Sequence, residues 1–412
     1  MIQFRDYQLD IISRGSKILY ENKFLYLAME VRTGKTLTSL GICDGLDNAN
    51  NVLFITKKKA ISSIQNDYDL LNPNYALTVI NYESLHKVRQ DEWDVVICDE
   101  AHGMGAYPKP SGRAKKVKKL IFESNPYVIL LSGTPTPEAY SQMYHQVYFI
   151  PGNPFRKFKT FYQFANEYVS IKKKKVGGNY INDYSKGSEQ ILTEMAPYTI
   201  RYSQKDAGFV VKTEETVLNV DMPSDISKMI NKLQKDLVVE GERETILADT
   251  AVKLMTKTHQ LTSGTIKFES GNSMVLNPYK AEFIKNKFKG KKIGIFYKFK
   301  EELNALKQVL GDKIVTELDD FNKGKNKKWI ALQIVSGREG ISLRKADALV
   351  YYNIDFSATS YWQSRDRMTT KERLHNDVYW VFAKGGIEHD IYKAVIAKKD
   401  YTLKHFKRDL LN

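Results

Sequence analysis

The run Arg32-Thr33-Gly34-Lys35-Thr36 joins an apolar stretch, Phe24–Met29, to a stretch of helical character, Thr36–Leu46. A turn of this composition suits a phosphate. Gly34 lets backbone amides approach closely, Lys35 neutralises phosphate charge, and the Thr36 hydroxyl is placed to hold magnesium. The first glycine of a GxxxxGK[ST] signature is missing, because Met29 stands there. Alone, these five residues also fit an ordinary strand–turn–helix. A second group of reactive residues, Asp99-Glu100-Ala101-His102, follows the apolar run Val95–Cys98. A carboxylate at the C-terminal end of a strand reaches a metal held in an adjacent phosphate loop. That assigns magnesium to Asp99, and to Glu100 the orientation and deprotonation of an attacking water.

Both groups need strands to carry them. Short β-branched-rich runs recur at Val52–Thr56, Ala76–Ile80 and Val128–Leu131, separated by helical lengths. This is the pattern of a parallel sheet covered on both faces. Strand–helix alternation resumes at Ile293–Tyr297, Ile330–Val335, Ala348–Asn353 and Val378–Ala383, which predicts a second parallel sheet. We therefore expect a first lobe over 1–207, with a helical protrusion at about 140–200, and a second over 208–412, with a helical insertion at about 222–265. In the protrusion, Phe161 and Phe164 fall at helical spacing and predict a core stripe rather than a base-stacking platform. Lys172–Lys175 before Gly177-Gly178 predicts a loop tip, and Lys115, Lys116, Lys118 and Lys119 an exposed helix face. For these lysines, solvation is at least as good an account as binding.

The 412 residues suffice for two or three domains with their own cores. A net charge of +15 favours polyanionic partners, nucleic acid first. No apolar run approaches the roughly 20 residues of a membrane span, and the opening MIQFRDYQLD carries Asp6 and no apolar core, unlike a secretory signal. Cys43 and Cys98 form no CxxC pair, and the seven histidines show no metal-ligand spacing. Buried free thiols, an intracellular setting and no structural zinc are expected.

Asp99-Glu100-Ala101-His102 after the Gly34-Lys35-Thr36 loop, then Ser132-Gly133-Thr134-Pro135-Thr136-Pro137, resembles motifs I, II and III of superfamily-two helicases. Further matches point to the Swi/Snf-type branch. Arg5-Asp6-Tyr7-Gln8 resembles its adenine-reading segment, with Gln8 on the base. Lys57-Lys58-Lys59 and Val79–Leu85, with Asn81 and Tyr82, are similar to motifs Ia and Ib, which touch the nucleic-acid backbone. Pro197–Tyr202 with Lys205-Asp206 resembles the segment joining the lobes, and Gln260–Gly264 a stretch before the second lobe. Gly294–Tyr297, Ser336–Leu343 and Gln363–Arg367 resemble motifs IV, V and VI.

The resemblance implies an α/β fold of two RecA-like parallel-sheet lobes with helical insertions. It implies ATP and Mg2+ as cofactors and DNA as partner, whether duplex, single-stranded or branched, alongside replication or recombination proteins. Arg32, Thr33, Gly34, Lys35, Thr36, Gln8, Gly340 and Gln363 would bind nucleotide. His102, Ser132 and Thr134 would couple the γ-phosphate to movement, and Ser336 and Arg338 would contact nucleic acid. Arg367 is the expected arginine finger. The chain departs from the pattern at Thr370, where a second arginine is expected, with Lys371 and Arg373 close by. Motif V is one glycine short beside Gly340. We weigh Arg373 as a partner of Arg367 against a plain solvated arginine.

The expected activity is an ATP-dependent DNA helicase or translocase. The competing reading is a hydrolysis-deficient ATP-dependent clamp, and a small-molecule P-loop kinase leaves the second sheet unexplained. Brevity suggests a compact viral or phage enzyme.

Overall fold

The computed structural model describes residues 3–397, apart from 138, 177–178, 324–327, 338–340 and 371. It divides into two compact units, 1–209 and 210–412. Each holds a six-stranded, all-parallel sheet.

In the first unit the strands are β1 (Phe24–Met29), β2 (Asn51–Thr56), β3 (Ala76–Asn81), β4 (Val95–Cys98), β5 (Tyr127–Leu131) and β8 (Thr199–Tyr202). Between β5 and β8 the chain inserts a separate two-stranded ribbon, β6 (Lys172–Val176) and β7 (Asn179–Asp183). The sheet order is β3-β2-β4-β5-β1-β8. Side chains alternate between two cores. Phe24, Tyr26, Leu53, Ile55, Val96 and Cys98 enter one, while Leu25, Leu27, Val52, Phe54, Val95 and Ile97 enter the other. That two-sided burial explains why these strands read as continuous apolar runs.

In the second unit the strands are β9 (Lys212–Val220), β10 (Val238–Glu240), β11 (Thr245–Leu247), β12 (Thr265–Lys267), β13 (Ser273–Val275), β14 (Ile293–Tyr297), β15 (Ile314–Val315), β16 (Trp329–Gln333), β17 (Ala348–Tyr351) and β18 (His375–Ala383). The main sheet runs β15-β16-β14-β17-β18-β9. Apolar clusters again lie on both faces. Two parallel sheets, each sandwiched by helices and each carrying its loops at the C-terminal strand ends, make two RecA-like lobes. Among the described residues no helix is long and apolar enough to cross a membrane.

Several local expectations need correction. Lys172–Lys175 lie not in a loop tip but in β6, paired antiparallel with β7. The helical insertion expected at about 222–265 is not wholly helical. The hairpin β10–β11 separates the helices Ser224–Asp236 and Ala251–Thr262, where β-branched Val238, Val239, Thr245 and Ile246 favour pairing. The strand expected over Ile330–Val335 ends at Gln333, because Ile334 turns into a short helix, Ile334–Gly337, and drops fully into the core. Thr199–Tyr202 is more than a connector. It adds to the first sheet beside β1.

Other readings stand. Phe161, Phe164 and Tyr168 of the helix Phe161–Tyr168 are buried, Cys43 and Cys98 are buried free thiols, and the four lysines of the helix Gly112–Ser124 face solvent.

Candidate nucleotide site

The sheet order sets β4, β5 and β1 side by side, so the segments leaving their C-terminal ends converge. Those segments carry Asp99 and Glu100, Ser132 and Thr134, and the Arg32–Thr36 loop.

Met29 is the last residue of β1, paired with Tyr202 and fully buried. A strand position has no need of the flexible glycine that the usual signature places there. The turn is made later. Arg32 and Gly34 have φ of 64° and 83°, and the helix Lys35–Asp44 begins directly after. Glycine adopts this backbone freely, whereas an arginine does so under strain that the surroundings must hold. Thr33 is buried and its Oγ1 donates to Glu30 O at 2.8 Å. Tyr7 Oη donates to Thr33 O at 3.0 Å. Gln8 is buried against the loop, its Nε2 donating to Thr38 Oγ1 at 3.3 Å and Gly34 O at 3.4 Å. A Cβ on Gly34 would lie 2.5 Å from that Nε2, so a side chain there would displace the Gln8 amide as well as strain the backbone at φ of 83°. Gln8 is therefore a brace for the phosphate loop. Lys35 and Thr36 are half-buried at the first turn of the helix, where backbone amides and the helix dipole favour an anion.

Asp99 Oδ2 accepts from Thr56 Oγ1 at 2.8 Å, across the β2–β4 neighbour pair. Burial and the adjacent Glu100 push the Asp99 carboxyl up from 3.8 to about 6, against the opposing pull of Lys35 and Thr56. Two crowded carboxylates near a single ammonium make a site short of positive charge. A divalent cation held by Asp99 and the Thr36 hydroxyl would supply it, so these residues fit magnesium. Glu100 has φ of 50°, another held left-handed residue. His102 Nδ1 lies 3.2 Å from Glu100 Oε2 and 3.0 Å from Ser132 Oγ, and Thr134 N donates to that same hydroxyl at 3.1 Å. The three expected coupling residues thus meet.

Lys57 and Lys58 follow β2, Lys57 half-buried and Lys58 exposed. Asn81 closes β3 and its Oδ1 accepts from Ser84 N at 2.9 Å. Tyr82, expected to touch a nucleic-acid backbone, turns its side chain inward. Tyr82 is 1% exposed and its hydroxyl donates to Asp99 O at 2.6 Å. It supports the carboxylate strand from beneath.

In the second unit, Gln363 is buried in the helix Ala358–Arg365. Arg367 follows, with Nε donating to Gln363 O at 2.9 Å and Nη1 to Ile341 O at 3.4 Å. Arg373 is half-buried and held by backbone carbonyls. Its guanidinium donates to the carbonyls of Ala346 at 2.8 Å, His375 at 2.9 Å, Asp347 at 3.1 Å and Arg344 at 3.4 Å. Ser336 lies in the helix Ile334–Gly337, while Arg338, Gly340 and Lys371 lie outside the described residues.

Residues missed from sequence include Thr56, Glu30 and Gln204. Gln204 N donates to Glu30 Oε2 at 2.7 Å and its Nε2 to Val31 O at 3.1 Å, which ties the segment after β8 to the phosphate loop. Tyr202 stacks on Tyr7 with centroids 4.6 Å apart. Thr56 carried a signal, being a polar residue at the end of an apolar strand. Gln204 carried none.

The family model of the SNF2-related domain matches residues 27–267. An ISWI chromatin-remodeling complex ATPase of Arabidopsis thaliana is 24% identical, over 89% of this chain and 38% of its own length. A CHD3-type chromatin-remodeling factor of Arabidopsis thaliana is 20% identical, over 82% of this chain and 28% of its own. The chain thus spans well under half the length of these curated relatives. Among solved structures, the Sulfolobus solfataricus SWI2/SNF2 ATPase core in complex with dsDNA is 16% identical with a TM-score of 0.44, covering 99% of this chain and 93% of that one. With the phosphate loop, the Asp99-Glu100-Ala101-His102 segment and the Ser132–Thr134 segment assembled on one sheet edge, and the family match running over more than half of its residues, the chain belongs to the SNF2-related domain family, within the Swi/Snf-type branch of superfamily two.

Proposed function

We propose that this protein hydrolyses ATP and uses the cycle to move along DNA. The observation that carries the reading is the convergence of Lys35, Asp99, Glu100, His102 and Ser132 at the C-terminal edge of the first sheet. Lys35 neutralises the β- and γ-phosphates, and backbone amides at the helix start cradle them. Asp99 and Thr36 would hold magnesium, which would offset developing phosphate charge. Glu100 orients water and takes its proton. His102 shares its Nδ1 between Glu100 and Ser132, so the state of the carboxylate is felt at Ser132 and Thr134. We assign the finger to Arg367, since Arg373 is committed to backbone carbonyls. The surplus of +15 charges and the exposed Lys58 beside the site suit a polyanionic track. DNA is favoured because this branch resembles DNA translocases.

A clamp that binds ATP and DNA without turning over is the second reading, favoured by Thr370 at the position of an expected arginine. ATPase activity of the purified protein, measured in parallel with single-stranded DNA, duplex DNA, forked DNA and RNA, separates the two. DNA-stimulated hydrolysis that disappears in Lys35→Ala supports the motor. Hydrolysis absent under every condition supports the clamp, and stimulation by RNA alone changes the track.

A further inference from the structure

Between Ser170 and Ser188 the chain carries five lysines and one aspartate. These residues build the β6–β7 ribbon. Its base is firmly anchored. Ser170 N donates to Lys186 O at 2.9 Å, Ser188 N donates to Tyr168 O at 2.8 Å, and Val169 bridges Gly187. Tyr184 is buried, its ring 5.3 Å from that of Phe161, and its carbonyl accepts from Ser141 Oγ at 2.5 Å. Outward of that base the described side chains reach into solvent. Lys172, Lys173, Asn182 and Lys186 are exposed, Tyr180 is 69% exposed and Ile181 49%.

This composition works against the ribbon's own stability. An isolated two-stranded ribbon is marginal in water, lysine is a poor strand former, and neighbouring like charges repel. Among the described side chains of the two strands, Lys172, Lys173, Tyr180, Ile181 and Asn182 are exposed, so burial does not offset these costs there. A polyanion laid along the ribbon removes the repulsion and gains counterion release. The aromatic residue narrows the choice. The register sets Lys173 opposite Asn182 and Lys175 opposite Tyr180, so Tyr180 shares a face with Lys173. A cation on the same face as an exposed ring matches a nucleic-acid strand, whose phosphates and bases both find partners. An acidic protein would use only the charge.

We propose that the β6–β7 ribbon is a DNA contact separate from the residues flanking the nucleotide site, with its lysines on phosphates and Tyr180 against a base or sugar. This rests on the reading of the protein as DNA-binding and adds a surface to it. The test is binding of the full chain to duplex and single-stranded DNA across a salt series. It compares the parent with the triple variant Lys172→Gln, Lys173→Gln, Lys186→Gln, and with Tyr180→Ala and Tyr180→Phe.

The triple variant should bind duplex DNA roughly 10- to 100-fold more weakly near 0.1 M salt, with its log–log salt slope reduced by up to about 3. Its DNA-free ATPase should be unchanged. Tyr180→Ala should weaken single-strand binding roughly 5- to 100-fold while Tyr180→Phe retains it, as stacking requires. A parent that binds DNA alongside a triple variant of equal affinity and slope overturns the ribbon contact and leaves the motor standing. Loss of binding to polyglutamate with DNA binding intact assigns the ribbon to an acidic protein instead. A parent that binds no DNA overturns both.

Discussion

His102 Nδ1 stands 3.0 Å from Ser132 Oγ, linking the segment after β4 to the segment after β5. The same nitrogen is 3.2 Å from Glu100 Oε2, and the same hydroxyl accepts from Thr134 N. A change in charge or position at Glu100 on hydrolysis therefore alters a hydrogen bond one strand away. Ser132→Ala should bind ATP as tightly as the parent, but its DNA-stimulated turnover should fall roughly fivefold, the value of about one hydrogen bond. Nucleotide affinity and stimulated turnover measured together check this. Unchanged stimulation would mean the contact is only structural.

The Asp99 carboxyl, held up at about 6, makes a stability prediction with a definite sign. Between its ordinary 3.8 and about 6, the folded protein keeps a proton that the unfolded chain has released. Stability therefore falls as pH rises through that window, and the penalty is complete at neutral pH. Asp99→Asn should abolish ATP turnover yet raise metal-free stability at pH 7 by about 1–3 kcal/mol. The gain should vanish near pH 4. Denaturant unfolding in EDTA at the two pH values reads it out. A variant less stable than the parent at pH 7 would show that Asp99 is a net structural asset.

Tyr82, expected from the resemblance to touch a nucleic-acid backbone, turns its side chain toward the carboxylate strand instead. Its ring is buried and its hydroxyl holds Asp99 O at 2.6 Å. Tyr82→Phe should leave DNA affinity within twofold of the parent and cost about 1 kcal/mol of stability through the orphaned carbonyl. Turnover should fall modestly. A large loss of DNA affinity with normal stability would restore the nucleic-acid role.

The Tyr82 case shows what was legible in the sequence and what was not. β1, β4 and β5 are buried on both faces, so their apolar runs announced them, and the loops that follow carry the residues that act on phosphate. The direction of a side chain just past a strand end depends on neighbours that the string does not show. β9 is an edge strand of mixed polarity, Lys212–Val220, whose partner β18 lies more than 150 residues on. No local periodicity reveals such pairing. The four lysines of Lys172–Lys175 likewise hid a strand, because charge usually marks a loop. Thr370 and Arg373 were ambiguous for a related reason. A guanidinium serving four carbonyls looks, in sequence, like one serving a phosphate.

Gln204 tests whether the segment after β8 positions the phosphate loop. It bonds Glu30 Oε2 through its amide and Val31 O through its side chain. Gln204→Ala removes only the second bond. KM for ATP should rise about fivefold, equivalent to roughly 1 kcal/mol, with kcat little changed. A steady-state ATP titration at saturating DNA separates the two constants. An equal fall in kcat with KM unmoved would place Gln204 in the chemical step instead.

The two arginines make the last test. Arg373 draws together the carbonyls of Arg344, Ala346 and Asp347, ahead of β17, and that of His375 at the start of β18. Removing it leaves several half-buried acceptors without their donor, so Arg373→Ala should destabilise the protein by roughly 2–3 kcal/mol. Turnover below its melting transition should stay within a few fold of the parent. Arg367 donates to Gln363 O and Ile341 O, and sits where the resemblance expects a finger. Arg367→Ala should keep most of the stability and lose about 10³-fold or more in turnover. Arg367→Lys should not restore it, because an ammonium cannot present the forked donors of a guanidinium. Thermal melts and ATPase rates on the same preparations give both rankings, and a reversed ranking would move the finger to Arg373.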